Sequence, residues 1–170
     1  PDLITFAKGV NSGYVPIGGV LISAPIAHAF DDRVFPGGLT YSGHPLAAAS
    51  IVATIDAMES EGIVENARRI GSDVLAPALT DLAERHPVVG EVRGEGVFWA
   101  LELVADRDTR DPLRAGEIAR AKSEMLARGL LPFTVDNRIH VVPPCTVSAD
   151  EVARAVEIYD DVLALLDAAL

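Results

Sequence analysis

The sequence predicts an α/β chain in two parts, 1–62 and 63–170. Three observations carry that prediction. The apolar stretch Leu3–Phe6 leads through a glycine-punctuated loop at 9–16 to a second apolar stretch at about 17–23, the pattern of strand, loop and strand. An alanine-rich helix then opens at Pro45 and is stopped by Gly62. Beyond it, helical and alternating patterns follow each other, as in an α+β module.

Each element has a local cause. The segment 3–6 is apolar and alternates little, as expected of a short strand buried on both faces. Residues 24–30 suit a short helical turn ended by Asp31 and Asp32, and Gly37-Gly38 marks an irregular loop. In the helix from Pro45, Leu46, Ala49, Ala53 and Ala57 recur at helical spacing, so we expect that stripe to pack closely. A second helix over 63–85 contains Pro77, which should kink or split it. Residues 88–104 read as two strands around a turn at Arg93-Gly94-Glu95-Gly96. A helix over 114–128 stops at Gly129, and 130–142 holds one or two strands. Ser148 and Glu151 form a capping box for the last helix, whose buried stripe is Val152, Val156, Tyr159, Leu163 and Leu166.

Composition narrows the function. A net charge of −11 argues against nucleic acid and anionic membrane surfaces as partners. Cys145 stands alone, so no intrachain disulfide can form, and a reducing, cytoplasmic setting fits. We find no signal peptide and no apolar run of the roughly 18 residues a membrane span requires. The chain begins without methionine in what reads as a strand already under way, so we expect it to be the later part of a longer polypeptide.

Among 14 basic side chains only Lys8 and Lys122 are lysines. Lys122 lies mid-helix among Glu117, Arg120 and Glu124 and reads as surface. Lys8 ends an apolar strand and precedes Gly9, Gly13, Gly18 and Gly19, which let backbone approach a bulky ligand. A lysine there is either a solvated strand end or an amine kept for nucleophilic chemistry, which arginine cannot do. Thr40-Tyr41-Ser42-Gly43-His44-Pro45 places two hydroxyls just before a helix, where they serve either as a helix cap or as an anion site. Neither a Gly-x-Gly-x-x-Gly fingerprint nor a phosphate loop is present, so no nucleotide site is indicated. No metal site is read from the sequence.

Ala7-Lys8-Gly9, Gly13-Tyr14-Val15-Pro16-Ile17-Gly18-Gly19-Val20 and Thr40-Tyr41-Ser42-Gly43-His44-Pro45-Leu46-Ala47 resemble the class III aminotransferases, the omega-transaminases of fold type I that depend on pyridoxal 5'-phosphate. Arg93–Leu103 and Val142–Val147 are similar to two later segments of the same family. The resemblance implies the C-terminal portion of that fold: 1–62 as the end of the cofactor-binding large domain with its connecting helix, and 63–170 as the small domain. It implies that Lys8 forms the covalent link to the cofactor, with a buried amine of lowered pKa. Thr40, with Ser42 beside it, would bind the cofactor phosphate of the neighbouring subunit, which implies an obligate homodimer.

Two departures from the family bear on substrate. Many members carry an arginine three residues before the Pro-Pro pair, and here that position is His140, with Arg138 two residues earlier. We expect both on one strand face as substrate carboxylate ligands, although Arg138 alone reads equally as a surface residue. Histidine is a weaker, pH-dependent carboxylate ligand, so a pyruvate-type acceptor fits better than a dicarboxylate. Cys145 stands where leucine is common and reads as a small core residue. The implied activity is transfer of an amino group from an amine or omega-amino acid to a small 2-oxo acid. The alternatives are an aminomutase or decarboxylase of the same fold, or a non-catalytic fragment that only dimerises. An exposed sheet edge should also make the chain unstable alone.

Overall fold

Gly62 ends one unit of the chain and Ile63 begins the next. The computed structural model describes residues 1–170, which divide into Pro1–Gly62 and Ile63–Leu170.

In the first unit, β1 (Leu3–Ala7) pairs antiparallel with β2 (Gly18–Ile22), Leu3 lying opposite Ile22 and Ala7 opposite Gly18. A Cβ at Gly19 would collide with the Phe6 ring across the ladder. The short helix α1 (Ala24–His28) follows, and then α2 (Pro45–Ser60). Pro45 opens α2 because its missing N–H is not needed there, and Gly62 ends it at φ 61. Two expectations fail in this unit. Leu3 and Ile4, expected to be buried on both faces, are 55% and 47% exposed, because nothing in the unit covers either face of a two-stranded ribbon. On α2, Leu46, Ala49 and Ala53 are exposed; Ala47, Ser50 and Thr54 form the more covered side, facing the turn that follows β1.

The second unit opens with α3 (Ile63–Ile70), a π-helical turn over Gly71–Leu75, and α4 (Ala76–Arg85). The widened turn explains how Pro77 is accommodated. It falls in the first turn of α4, where a proline is tolerated. Next come β3 (Val89–Glu95), β4 (Phe98–Leu103), α5 (Ala115–Ala127), β5 (Phe133–Val135), β6 (Arg138–Val141) and α6 (Ala149–Asp167). The sheet runs β3-β4-β6-β5, antiparallel throughout. Glu95 pairs with Phe98, so the hairpin turns at Gly96-Val97, later than the sequence suggested. Gly94 lies within the strand because Trp99 and the Phe98 carbonyl occupy the space of a Cβ.

One sheet face and the helices share the core: Leu101, Leu103 and Ile139 pack with Ile70, Leu79, Leu82, Met125 and Leu163, all buried. The expected capping box is present, Ser148 Oγ accepting from the Glu151 amide at 3.3 Å while the Glu151 carboxylate accepts from the Ser148 amide at 2.9 Å. His86, at the C-terminal end of α4, is buried and pinned to α6 through Asp160 at 2.6 Å and Asp167 at 2.7 Å. No helix of the chain is long and apolar enough to cross a membrane.

Candidate active site

Lys8 begins a 3-10 turn, Lys8–Asn11, that leaves the end of β1. Its φ is 50, and Ser12 and Gly13 follow at 53 and 75. Left-handed backbone at a residue other than glycine is unfavourable and collects at functional sites. Lys8 is exposed. The burial expected of it is not supplied by this chain, because β1 and β2 form the uncovered ribbon described above.

The segment before α2 does not cap it with Thr40 or Ser42. The cap is His44, whose Nδ1 accepts the Leu46 amide at 3.2 Å. Ser42 lines an open cleft of about 710 Å³ together with Val15, Pro16, Tyr41 and His44, whereas Thr40 is exposed outside it. Lys8 is not among the residues lining that cleft. The structure therefore does not join Lys8, Thr40 and Ser42 in one pocket of a single chain. In donor chemistry the set fits an aldehyde- and phosphate-bearing cofactor: one primary amine, with hydroxyls that the helix cap does not use.

Arg138 and His140 do lie together. Strand register sets two rows across the open face of the sheet, Arg93–Ala100–His140–Phe133 and Glu91–Glu102–Arg138–Val135. The small Ala100 leaves a hollow of about 260 Å³ lined by Arg93, Phe98, Arg138 and His140. Arg138 is half-buried and paired with Asp136 at 2.7 Å. The His140 ring lies 5.1 Å from the Phe133 ring and 6.1 Å from that of Phe98, and its Nδ1 is buried without a hydrogen-bond partner. A buried, unpaired ring nitrogen is costly in a folded protein and marks a place where a polar ligand atom would be welcome.

Arg93 is the residue of this face that the sequence reading missed. Cross-strand register was the signal for it, and that depends on where the hairpin turns. Arg93 is committed elsewhere, bonding Glu102 at 2.9 Å, while Arg110 reaches Glu91 at 2.7 Å and Glu102 at 3.1 Å. The Arg93 hydrogen bond, then that of Arg110, holds the Glu102 carboxyl below the usual carboxylate range. Cys145 is exposed, not a core residue as its sequence position suggested. Its loop runs over the surface, and its carbonyl accepts from Asn66 Nδ2 at 2.8 Å. Tyr159 lines a neighbouring cleft with His140, and burial pushes its hydroxyl up to about 12.

Comparison with known proteins sets this geometry in a family. Residues 1–163 match the family described as Aminotransferase class-III, and the chain belongs to it. The taurine–pyruvate aminotransferase of Rhodobacter capsulatus is 33% identical over 99% of this chain, which spans 39% of that relative's length. Among solved structures, an amine transaminase from an uncultivated Pseudomonas species in a PLP-bound form superposes with a TM-score of 0.90 at 38% identity, covering 97% of this chain and 38% of that one. The taurine:2-oxoglutarate aminotransferase of Bifidobacterium kashiwanohense, in complex with PLP and glutamate, gives 0.90 at 34% identity, covering 98% and 38%. The fold is that of the fold type I transaminases.

Proposed function

We propose that this chain is the C-terminal portion of a pyridoxal-phosphate-dependent aminotransferase that passes an amino group from an amine or omega-amino acid to a small 2-oxo acid such as pyruvate. The observation that carries the reading is Lys8, a solitary amine held at φ 50 on a strand end within the family match. When bound, the cofactor supplies an aldehyde for amines to condense with and a ring that accepts an electron pair. Lys8 would hold the cofactor through its amine, and the same amine, when free, would serve as the proton carrier at the substrate carbon. Thr40 and Ser42 donate to the phosphate of the neighbouring subunit, so the active form is a homodimer. The domains divide at Gly62, with the cofactor-binding part before it, and the setting is cytoplasmic.

His140 and Arg138 receive the substrate carboxylate. Arg138 is already neutralised by Asp136, and His140 offers a single nitrogen, so a monocarboxylate such as pyruvate suits the face better than a dicarboxylate. The pyruvate-linked relative supports this acceptor, and the structure holding glutamate favours 2-oxoglutarate as a second reading. Both relatives are aminotransferases, which weighs against an aminomutase or decarboxylase.

The test uses the protein expressed from its complete reading frame. Borohydride reduction with pyridoxal 5'-phosphate, followed by peptide mapping, should label the peptide holding Lys8. In a separate, unreduced sample, donor amine alone should yield one equivalent of carbonyl product per site, and pyruvate should restore turnover. An unlabelled Lys8 peptide, or carbon dioxide released from the donor, would overturn the reading.

A further inference from the structure

We propose that Asn11 is the positioning residue for Lys8, holding it in its left-handed conformation by anchoring the turn to α2; this rests on Lys8 being the attachment point. Asn11 is 1% exposed, the only buried polar residue of the first unit. Its Nδ2 donates to the Val15 carbonyl at 2.6 Å and to Ser50 Oγ at 3.0 Å, and its Oδ1 accepts from the Gly13 amide at 3.2 Å. That same Gly13 amide donates to the Lys8 carbonyl at 3.2 Å. Ser50 Oγ donates its own hydrogen bond to the Ala47 carbonyl at 2.7 Å. A continuous path therefore runs from the Lys8 carbonyl through Gly13 and the Asn11 amide to the first turns of α2.

The orientation of the Asn11 amide follows from its partners. Val15 offers only a carbonyl oxygen, and Ser50 has committed its hydrogen to Ala47, so both need a donor. Gly13 presents an N–H and needs an acceptor. Only one setting of the amide satisfies all three. With the left-handed residues Lys8, Ser12 and Gly13 strung along one short loop, unanchored backbone would relax to commoner conformations and carry the amine away with it. Lys8 has no buried packing of its own to prevent this. Asn11 touches no reacting atom and acts through the backbone of Lys8.

Asn11→Asp keeps the shape and the acceptor for Gly13 but turns an oxygen toward the Val15 carbonyl. Ser50→Ala removes only the tie to α2. In the protein from its complete reading frame, with the cofactor bound, Asn11→Asp should lower kcat on the order of 10²-fold, the cost of misplacing a reacting group by about 1 Å. KM for the amine should move less than about threefold. The pH midpoint of the Lys8 adduct's absorbance should shift, and borohydride trapping should slow, in variant protein that circular dichroism shows to be folded at the assay temperature. Ser50→Ala should shift the same readouts less, and it decides the matter if Asn11→Asp does not fold. If wild type labels Lys8 and the folded variants match it within about twofold in trapping, absorbance and kcat, the positioning role is wrong. If wild type itself leaves Lys8 unlabelled, the attachment reading fails and takes this one with it.

Discussion

The two units divide the work unequally. Residues 63–170 bury one continuous apolar core between a four-stranded sheet and its helices, while in residues 1–62 only Ala47 and Asn11 are buried. Yet Lys8, Thr40 and Ser42 all belong to the first unit, and all three are exposed. Since apolar burial is the main favourable term in folding, the unit carrying the reactive side chains has little stabilisation of its own. Its order depends on local devices: a ribbon ladder, a proline-started helix and one buried asparagine. Substitutions should therefore separate into those that remove chemistry and those that remove stability.

Lys8→Arg is the largest expected effect. It keeps the charge and removes the nucleophile, so turnover should fall by at least ~10⁴-fold, as when other enzymes lose a nucleophile. With cofactor left out of both proteins, so that ligand binding does not enter, the thermal midpoint should stay where it was, since Lys8 is exposed. Steady-state kinetics beside a melting curve checks both halves, and a variant that loses activity only because it unfolds would erase the contrast. Next comes Leu101→Ala in the second unit, where Leu101 is fully buried; it should cost about 2–5 kcal/mol in urea unfolding. Val34→Ala, at a site 91% exposed in the first unit, should stay within about 0.5 kcal/mol of wild type. Equal costs at the two sites would break the comparison.

What the sequence disclosed follows the same division. Local chemistry was legible: Pro45 opening α2, Gly62 and Gly129 at positive φ closing helices, and the Ser148–Glu151 box all depend on residues a few positions apart. The loop after Lys8 was legible as glycine-rich, but not its anchor, because Asn11 meets Ser50 across 39 residues. Burial was the least legible property. Leu3, Ile4 and Lys8 sit in a strand pattern that elsewhere means a covered sheet, and here nothing in residues 1–62 covers the ribbon. Cys145 misled for the opposite reason, an apolar-looking position whose loop is held by its backbone rather than its side chain. Arg138 and His140 were placed on one face by the two-residue period of a strand, and β6 does place them so.

Gly71→Ala should cost less than Leu101→Ala, about 1–3 kcal/mol. Gly71 begins the π-helical turn and lies against the hairpin at Gly96, whose backbone fills the space of a Cβ. The hairpin cannot move aside freely, since the Gly96 carbonyl accepts from Trp99 Nε1 at 2.7 Å and Trp99 packs on the core. A helix-favouring alanine would stabilise an isolated helix here, so a destabilisation in urea unfolding isolates the close approach as its cause. A neutral or stabilising result would mean that the helix and hairpin are less tightly apposed than their backbones indicate.

Acid should produce a small effect, and in the second unit. The carboxyls of Glu91, Glu102 and Asp160 are all held low, chiefly by hydrogen bonds from Arg110, Arg93 and Arg85 respectively. A carboxyl lowered in the folded state contributes stability that is fully present above its unfolded value and is lost as pH falls through the folded one. Stability should therefore hold from pH 7 down to about 5 and decline below about 4, where these groups begin to protonate. Exposure and salt screen such pairs, so the decline should be shallow and shallower still in high salt. Glu102→Gln removes the titrating negative charge that both Arg93 and Arg110 share, and should flatten the urea midpoint's dependence on pH below about 4. A slope unchanged by that substitution would assign acid sensitivity to other carboxylates and leave the Glu102 pairs as geometry without energetic weight.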